Sequence, residues 1–185
     1  MLKRLAVAGV FNGLKLDLKF WKASMLITFL RHAKAEDRSL TLSDADRALT
    51  DKGEKQVVRV AEFCRNKGLL PEAVFSSPLV RAQQTARLLQ QHLARCPAPQ
   101  TVAWLGVDLG PEELIAQLSS LADEDFEDVW LVGHEPDFSS GIGMLLQTGC
   151  ANLVIKKASL TRLEADFSRE PSVKLLWSIP CSMMS

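Results

Sequence analysis

The chain has no excess of either charge: its 185 residues carry 22 Lys and Arg against 22 Asp and Glu. Proteins that hold a nucleic-acid backbone need a basic surplus, so nucleic acid is set aside as a partner and any anion must be held by locally placed arginines. There is no apolar run of the roughly eighteen residues that a membrane-crossing helix requires, which sets a membrane aside. Cysteine occurs four times, as Cys64, Cys96, Cys150 and Cys181, without a CxxC motif or a pairing pattern. These read as reduced thiols of a cytoplasmic protein, for the most part small buried hydrophobes. The three histidines, His32, His92 and His134, show neither HxH nor HxxxH spacing, so no metal ligation is expected. Internal repeats and low-complexity tracts are also absent, and the length suits one domain with a full core rather than two.

Residues 1–24 differ in character from the rest. Lys3, Arg4, Lys15, Lys19 and Lys22 face a single acid, Asp17. A signal peptide and a basic helix on a membrane surface are the alternatives, but the apolar stretch 5–11 is short, is broken by Asn12-Gly13, and has no small-residue cleavage site after it. The expectation is a disordered N-terminal extension over 1–24 and a folded domain over 25–185, with Met25 as an alternative start directly before the first strand.

What is present is an alternation of apolar runs and helical patterns. Residues 26–30 predict a buried strand. Thr50 stands as N-cap of a helix that carries Val57, Val60, Ala61 and Cys64 at helical spacing until Gly68 ends it. Residues 73–75 predict a short strand. Ser77-Pro78 predicts a helix start, Ser as cap and Pro in the first turn, with Leu79, Ala82, Ala86, Leu89 and Leu93 as its apolar stripe. Residues 101–105 predict an edge strand, and Gly110-Pro111 opens a helix with Leu114, Ile115, Leu118 and Leu121 inward. Residues 129–132 form a third buried strand, after which Pro136 opens a helix that Gly149 ends. Residues 152–155, 159–164 and 173–177 alternate like final strands joined by hairpins. The predicted fold class is α/β, a three-layer α/β/α sandwich with a mostly parallel central sheet and antiparallel strands at its margin.

Three apolar strands each end in polar chemistry. The first delivers Arg31-His32, the second Ser76-Ser77-Pro78 and then Arg81, the third Gly133-His134-Glu135-Pro136. In such sheets ligands bind outside the carboxyl ends of the strands, so His32, Ser76, Arg81 and His134 are expected in one cleft. A histidine attacks phosphorus through an unprotonated ring nitrogen, with the other nitrogen hydrogen-bonded to fix the tautomer. Cations must then neutralise charge on the phosphoryl oxygens, and Arg31 and Arg81 offer planar forks for that purpose. A helix beginning near Ser77 would add positive potential. His92, beside Gln90 and Gln91, reads as a solvated surface residue.

These segments, Leu30-Arg31-His32-Ala33-Lys34-Ala35, then 76–86 with Ser77-Pro78 and Arg81, then Leu131-Val132-Gly133-His134-Glu135-Pro136, together resemble the histidine phosphatase superfamily, and within it the SixA-type phosphohistidine phosphatases. The resemblance covers the chain from about Met25 onward. It implies a phosphoglycerate mutase-like fold, a phosphorylated intermediate on His32, and a phosphate pocket completed by Arg31, Arg81 and His134. Ala33 stands where the wider superfamily has glycine, as in many SixA-like sequences. Arg47 matches an Arg-x-Leu-Thr segment of that branch and is expected at the phosphate or substrate, while Ser77 offers a hydroxyl or backbone N–H.

No acidic motif for protonating a leaving group stands between Arg81 and Trp104. Glu36, Asp108 and Glu135 are candidates by position only. A P–N bond needs less help from an acid than an alkyl ester. The expected activity is therefore hydrolysis of phosphohistidine on a partner protein, without metal or cofactor. A small phosphorylated substrate and a non-catalytic phosphate-binding module are the alternatives.

Overall fold

The computed structural model describes residues 24–41, 43–107, 110–124, 126–168 and 172–185. The expectation for the first 23 residues, and for Asp108, lies outside the described residues. Strand β1 (Met25–Arg31) is buried along nearly its whole length, because sheet neighbours and helices cover both of its faces. That is why it reads as a continuous apolar run rather than an alternation. With β2 (Ala73–Ser76), β3 (Gln100–Thr101) and β4 (Asp128–Gly133) it forms the parallel part of the sheet. Strands β5 (Leu160–Asp166) and β6 (Ser172–Ile179) join antiparallel, giving the order β3-β2-β4-β1-β5-β6.

Helices α1 (Asp51–Lys67) and α2 (Val80–His92) cover one face through Val57, Val60, Ala82, Ala86 and Leu89, packed on Leu30, Val74, Trp130 and Val132. Helices α3 (Gly110–Asp123) and α4 (Asp137–Leu145) cover the other through Leu114, Leu118, Phe138 and Ile142, packed on Ile27, Phe29, Phe75 and Leu131. The three-layer sandwich is therefore as expected. Thr50 caps α1 by accepting from Gly53 N–H at 3.2 Å, and Gly68 ends it at φ +65°. The same first turn fastens α1 to the segment leaving β1: Thr50 N–H and Oγ1 both donate to Lys34 O, at 3.0 and 3.2 Å. A Cβ at Gly53 would collide with that carbonyl, so the close approach requires glycine.

Four local expectations need correction. Helix α2 begins at Val80 with Leu79 as N-cap, not at Ser77-Pro78. Ser77 is still held to the sheet by its N–H donating to Val132 O at 2.9 Å, and its Oγ accepts from Leu79 N–H. The strand expected over 101–105 is reduced to Gln100–Thr101, because the chain turns at Ala103–Leu105 into a 3₁₀ turn. Residues 152–155 are not a strand: Ile155 O accepts from Arg31 Nη1 at 2.6 Å, so this stretch is tethered to the tip of β1 by a side chain. Helix α4 ends at Leu145, and Gly149 opens a further 3₁₀ turn instead of closing the helix.

A buried ion pair crosses the sheet. Arg162 on β5 donates to Thr28 Oγ1 on β1 and to Asp128 Oδ2 on β4, each at 2.6 Å, and Trp130 Nε1 donates to Asp128 Oδ1. Removing one member leaves an uncompensated buried charge, a loss of about 3–5 kcal/mol. Arg162→Ala is accordingly expected to lower the urea midpoint by a corresponding amount with an unchanged m-value, and an unaltered midpoint would show that the pair adds nothing.

Candidate active site

Strands β1 and β4 are adjacent and parallel, with Arg31 opposite Gly133. The chain leaves β1 toward α1 on one face and leaves β4 toward α4 on the other. Between such strands a crevice opens at the edge of the sheet. His32 and His134 are the next residues on each strand, so they emerge into it side by side. His32 N–H still donates to Gly133 O at 2.8 Å, which fixes the pairing up to the last residue. Gly133 has no room for a side chain, since a Cβ there would lie 2.7 Å from the Phe138 ring.

His32 is 4% exposed. Its Nδ1 donates to Ala33 O at 2.8 Å, and its Nε2 accepts from Arg81 Nε at 3.3 Å. That pairing defines one neutral tautomer, with the lone pair of Nε2 directed at a guanidinium. Burial above all, with the charges of Arg81, Arg31 and Lys157 and against the Ala33 hydrogen bond, pushes the imidazole down to about 3. Both sides of Ala33 are anchored: Ala33 N–H donates to Thr85 Oγ1, which donates to Arg81 O, and Lys34 N–H, on the peptide that carries the Ala33 carbonyl, donates to Gln56 Oε1. Thr85 thus ties the histidine segment to the helix that carries Arg81.

Arg81 sits in the first turn of α2, 4% exposed. Its Nη2 donates to Asp44 Oδ2 at 3.0 Å and its Nη1 to Asp44 O. Asp44 also receives Arg47 Nε at 3.0 Å and the exposed Arg38 Nε at 3.1 Å. Burial pushes the Asp44 carboxyl up, but Arg81 and Arg47 outweigh it and hold it below the usual carboxylate range. Arg31 places Nη1 on Ile155 O, while its Nε is buried without a hydrogen-bond partner. His134, also 4% exposed, lies 2.9 Å from Asp137 Oδ2 through Nε2, an ion-pair distance without hydrogen-bond alignment. Burial pushes its imidazole down against the pull of Asp137.

Among the described residues, Arg31 Nε, Glu135 Oε1 and Ser159 Oγ are buried without a hydrogen-bond partner, and neither ring nitrogen of His134 makes a hydrogen bond of good geometry. All belong to the tips of β1 and β4 or to the segment entering β5. Native proteins keep such atoms few, and each one calls for a reason such as a ligand. Here they coincide with the strand tips that carry the two histidines. No three His, Cys, Asp or Glu side chains among the described residues gather in a way that could hold a metal ion.

The structure brings His32 and Arg81 into contact and sets Arg31 and His134 beside them. It brings Arg47 in through Asp44 rather than directly. Ser77 N–H is occupied by Val132 O, so only its hydroxyl proton remains to reach an anion. Glu36 is exposed and its Oε2 accepts from Ala48 N–H, which makes it part of the loop's own scaffold. Glu135 Oε2 accepts from Ser139 Oγ, and its carboxylate acts against the burial that lowers the proton affinity of Arg31. His92 is exposed and stands in the last turn of α2, at the opposite end of that helix from Arg81. Sequence reasoning missed Asp44, Asp137 and Lys157. An Asp44–Arg47 spacing of three on one turn was visible, but the 37-residue link to Arg81 was not. Lys157 was hidden because 152–155 read as a strand.

The chain belongs to the histidine phosphatase superfamily (branch 1), whose sequence profile matches residues 27–141. It is thus a phosphatase or mutase-type enzyme with the phosphoglycerate mutase-like α/β fold. An uncharacterized protein of Picosynechococcus sp. is 34% identical over 147 residues, which is 78% of this chain and 88% of that protein. A 2,3-bisphosphoglycerate-dependent phosphoglycerate mutase of Streptomyces griseus is 35% identical over 80 residues, but these are only 42% of this chain and 32% of the mutase. The solved structure of the protein histidine phosphatase SixA complexed with tungstate superposes with a TM-score of 0.77 at 20% identity, covering 87% of this chain and all of that one. At that identity the likeness concerns the fold. No helix among the described residues is long and apolar enough to cross a membrane.

A histidine whose proton affinity falls on folding binds fewer protons in the native than in the unfolded chain. The His32 contribution therefore destabilises the fold as pH drops from the unfolded value of about 6.5 toward about 3, and has no effect above that window. His32→Ala is expected to flatten the pH dependence of unfolding between those limits. A nitrogen NMR titration of the wild type should show protonated Nδ1 and bare Nε2 at pH 7, and an imidazolium at that pH would overturn the tautomer.

Proposed function

We propose that the protein hydrolyses phosphohistidine on a partner protein through a phosphorylated His32. The observation that carries this reading is the unprotonated Nε2 of His32, selected by the Nδ1 hydrogen bond to Ala33 O, kept neutral by burial and facing the Arg81 guanidinium. In the first step the Nε2 lone pair attacks phosphorus. The P–N bond of the substrate breaks, its imidazole leaves with a proton, and a P–N bond to His32 forms. Arg31 and Arg81 neutralise the equatorial oxygens and His134 donates a hydrogen bond to them, with Arg47 and the Ser77 hydroxyl as substrate contacts. Water then attacks the phosphoramidate, orthophosphate departs, and Nε2 recovers its lone pair. Buried cations act strongly here, because donors aimed at developing charge in a dry site need no reorganisation.

Two features favour a protein substrate over a small metabolite. The described residues between α2 and α3 form little more than β3 and a 3₁₀ turn, which is short for a lid over the crevice. The described residues also offer no carboxylate on His32 or Arg81 in a position to protonate an alkoxide; Asp44 is taken up by arginines. A protonated imidazole leaves from phosphorus with little such help. The domain over 25–185 is taken to carry this activity in the cytoplasm, in keeping with its four free thiols.

The test is to incubate the protein with a phosphohistidine peptide, p-nitrophenyl phosphate and a sugar phosphate. Turnover of the peptide should dominate and fall at least about 10³-fold in His32→Ala, and Arg81→Ala should lose about 10²–10³-fold. Activity that survives in His32→Ala would overturn the mechanism. A preference of orders of magnitude for sugar phosphates would replace the substrate by a small phosphomonoester.

A further inference from the structure

Resting on that reading of the site, we infer that Asp44 is a positioning residue for Arg81, acting from behind the guanidinium to aim it at the reacting nitrogen. A guanidinium has an end edge bearing both Nη groups and a side edge bearing Nε. Asp44 takes the end edge with two acceptors of one residue, Oδ2 for Nη2 at 3.0 Å and its own carbonyl for Nη1. The opposite side, with Nε, is thereby turned toward His32 Nε2 at 3.3 Å. The side chain of Arg81 has no rotational freedom left while both ends are held.

Charge makes the arrangement worth explaining. A carboxylate beside a phosphate-binding arginine weakens the attraction for an anion, so it needs a compensating role. Three guanidinium groups on one carboxylate leave the cluster positive, since Arg38, Arg47 and Arg81 all lie within 3.1 Å of Asp44 oxygens. The three pairs are not equal. Arg38 is 84% exposed, and such a pair contributes little. Arg81 is only 5% exposed and Arg47 12%, so their contacts with Asp44 are the ones that fix geometry.

The backbone of the loop supports the same role. Asp44 lies on a 3₁₀ turn, Asp44–Asp46, whose N-cap Ser43 accepts from Ala45 N–H. The loop is closed on itself by the bridge between Ala35 and Leu49 and by Arg47 Nη1 donating to Glu36 O. It is pinned to α2 by Leu49 N–H donating to Gln84 Oε1 at 2.7 Å. Asp44 therefore stands on a braced segment fixed to the very helix that carries Arg81, which is what a support requires and a mobile competitor does not.

The test compares wild type, Asp44→Asn and Asp44→Ala in the full chain. The nitrogen–proton NMR signal of Arg81 Nε, assigned by its loss in Arg81→Lys, should be resolved and slow to exchange in the wild type. It should broaden toward a free arginine in Asp44→Ala and be intermediate in Asp44→Asn, which keeps one side-chain acceptor. With p-nitrophenyl phosphate, Asp44→Ala should lose about 10–100-fold in kcat with little change in KM, while Asp44→Asn loses less. An Arg81 signal unchanged in both variants would overturn the inference. So would a rise in kcat together with tighter binding of inorganic phosphate, which would make Asp44 a rival of the substrate. If Asp44→Ala does not fold, Asp44→Asn decides by the same two measures. A wild type without phosphatase activity would sink the proposed function but not this inference, because the Arg81 signal needs no turnover.

Discussion

The parallel pairing of β1 with β4 is the constraint on which the site depends. Its register sets Arg31 opposite Gly133, so His32 and His134 leave the sheet together. Because the two strands feed helices on opposite faces, no helix closes the gap between their tips, and the crevice results. The pairing is reinforced from the far end of the strands by Arg162, which spans β5, β1 and β4 through Thr28 and Asp128. Gly133 adds a packing condition, since Phe138 occupies the space that any Cβ would need. A slip of one strand by one residue would turn its histidine to the opposite face of the sheet from the other.

Around that crevice the chain gathers cations where solvent is scarce. Arg31 and the two histidines lie at the strand tips with Arg81 in the first turn of α2 beside them, and the charges of Lys157 and Arg47 add to the same positive field. Burial and this positive field act in one direction on His32: both disfavour its protonation. The proposed nucleophile is thus kept neutral by burial and by the same groups that would hold the phosphoryl oxygens. The cost is a set of like charges held close together, and the carboxylates of Asp44, Glu135 and Asp137 offset it from behind or beside the arginines and His134.

Much of this arrangement was legible in the chain. The apolar runs of β1, β2 and β4, the Thr50 cap and the Gly68 stop follow from local preferences, and the polar tips follow from where those runs end. Other parts were not legible, for definite reasons. The start of α2 moved to Val80 because Ser77 remains bonded to Val132 on a neighbouring strand, which a local capping rule does not register. Residues 152–155 alternate like a strand, yet the Arg31 guanidinium claims Ile155 O and holds the stretch out of the sheet. Only Gln100–Thr101 of the predicted edge strand pairs, as the chain turns at once beneath Phe75 and Trp104.

By itself the sequence determined the α/β class, the three strand tips that carry chemistry and the identity of His32, Arg31, Arg81 and His134 as their polar residues. These depend on periodicity and on short-range spacing, which a linear chain displays. The tertiary structure alone decided that Asp44 stands behind Arg81, that Thr85 anchors the backbone next to His32, and that Lys157 reaches the same field. Each of these joins residues tens of positions apart through a single hydrogen bond or charge. Such contacts exist only once the sheet order and the helix faces have brought the loops together.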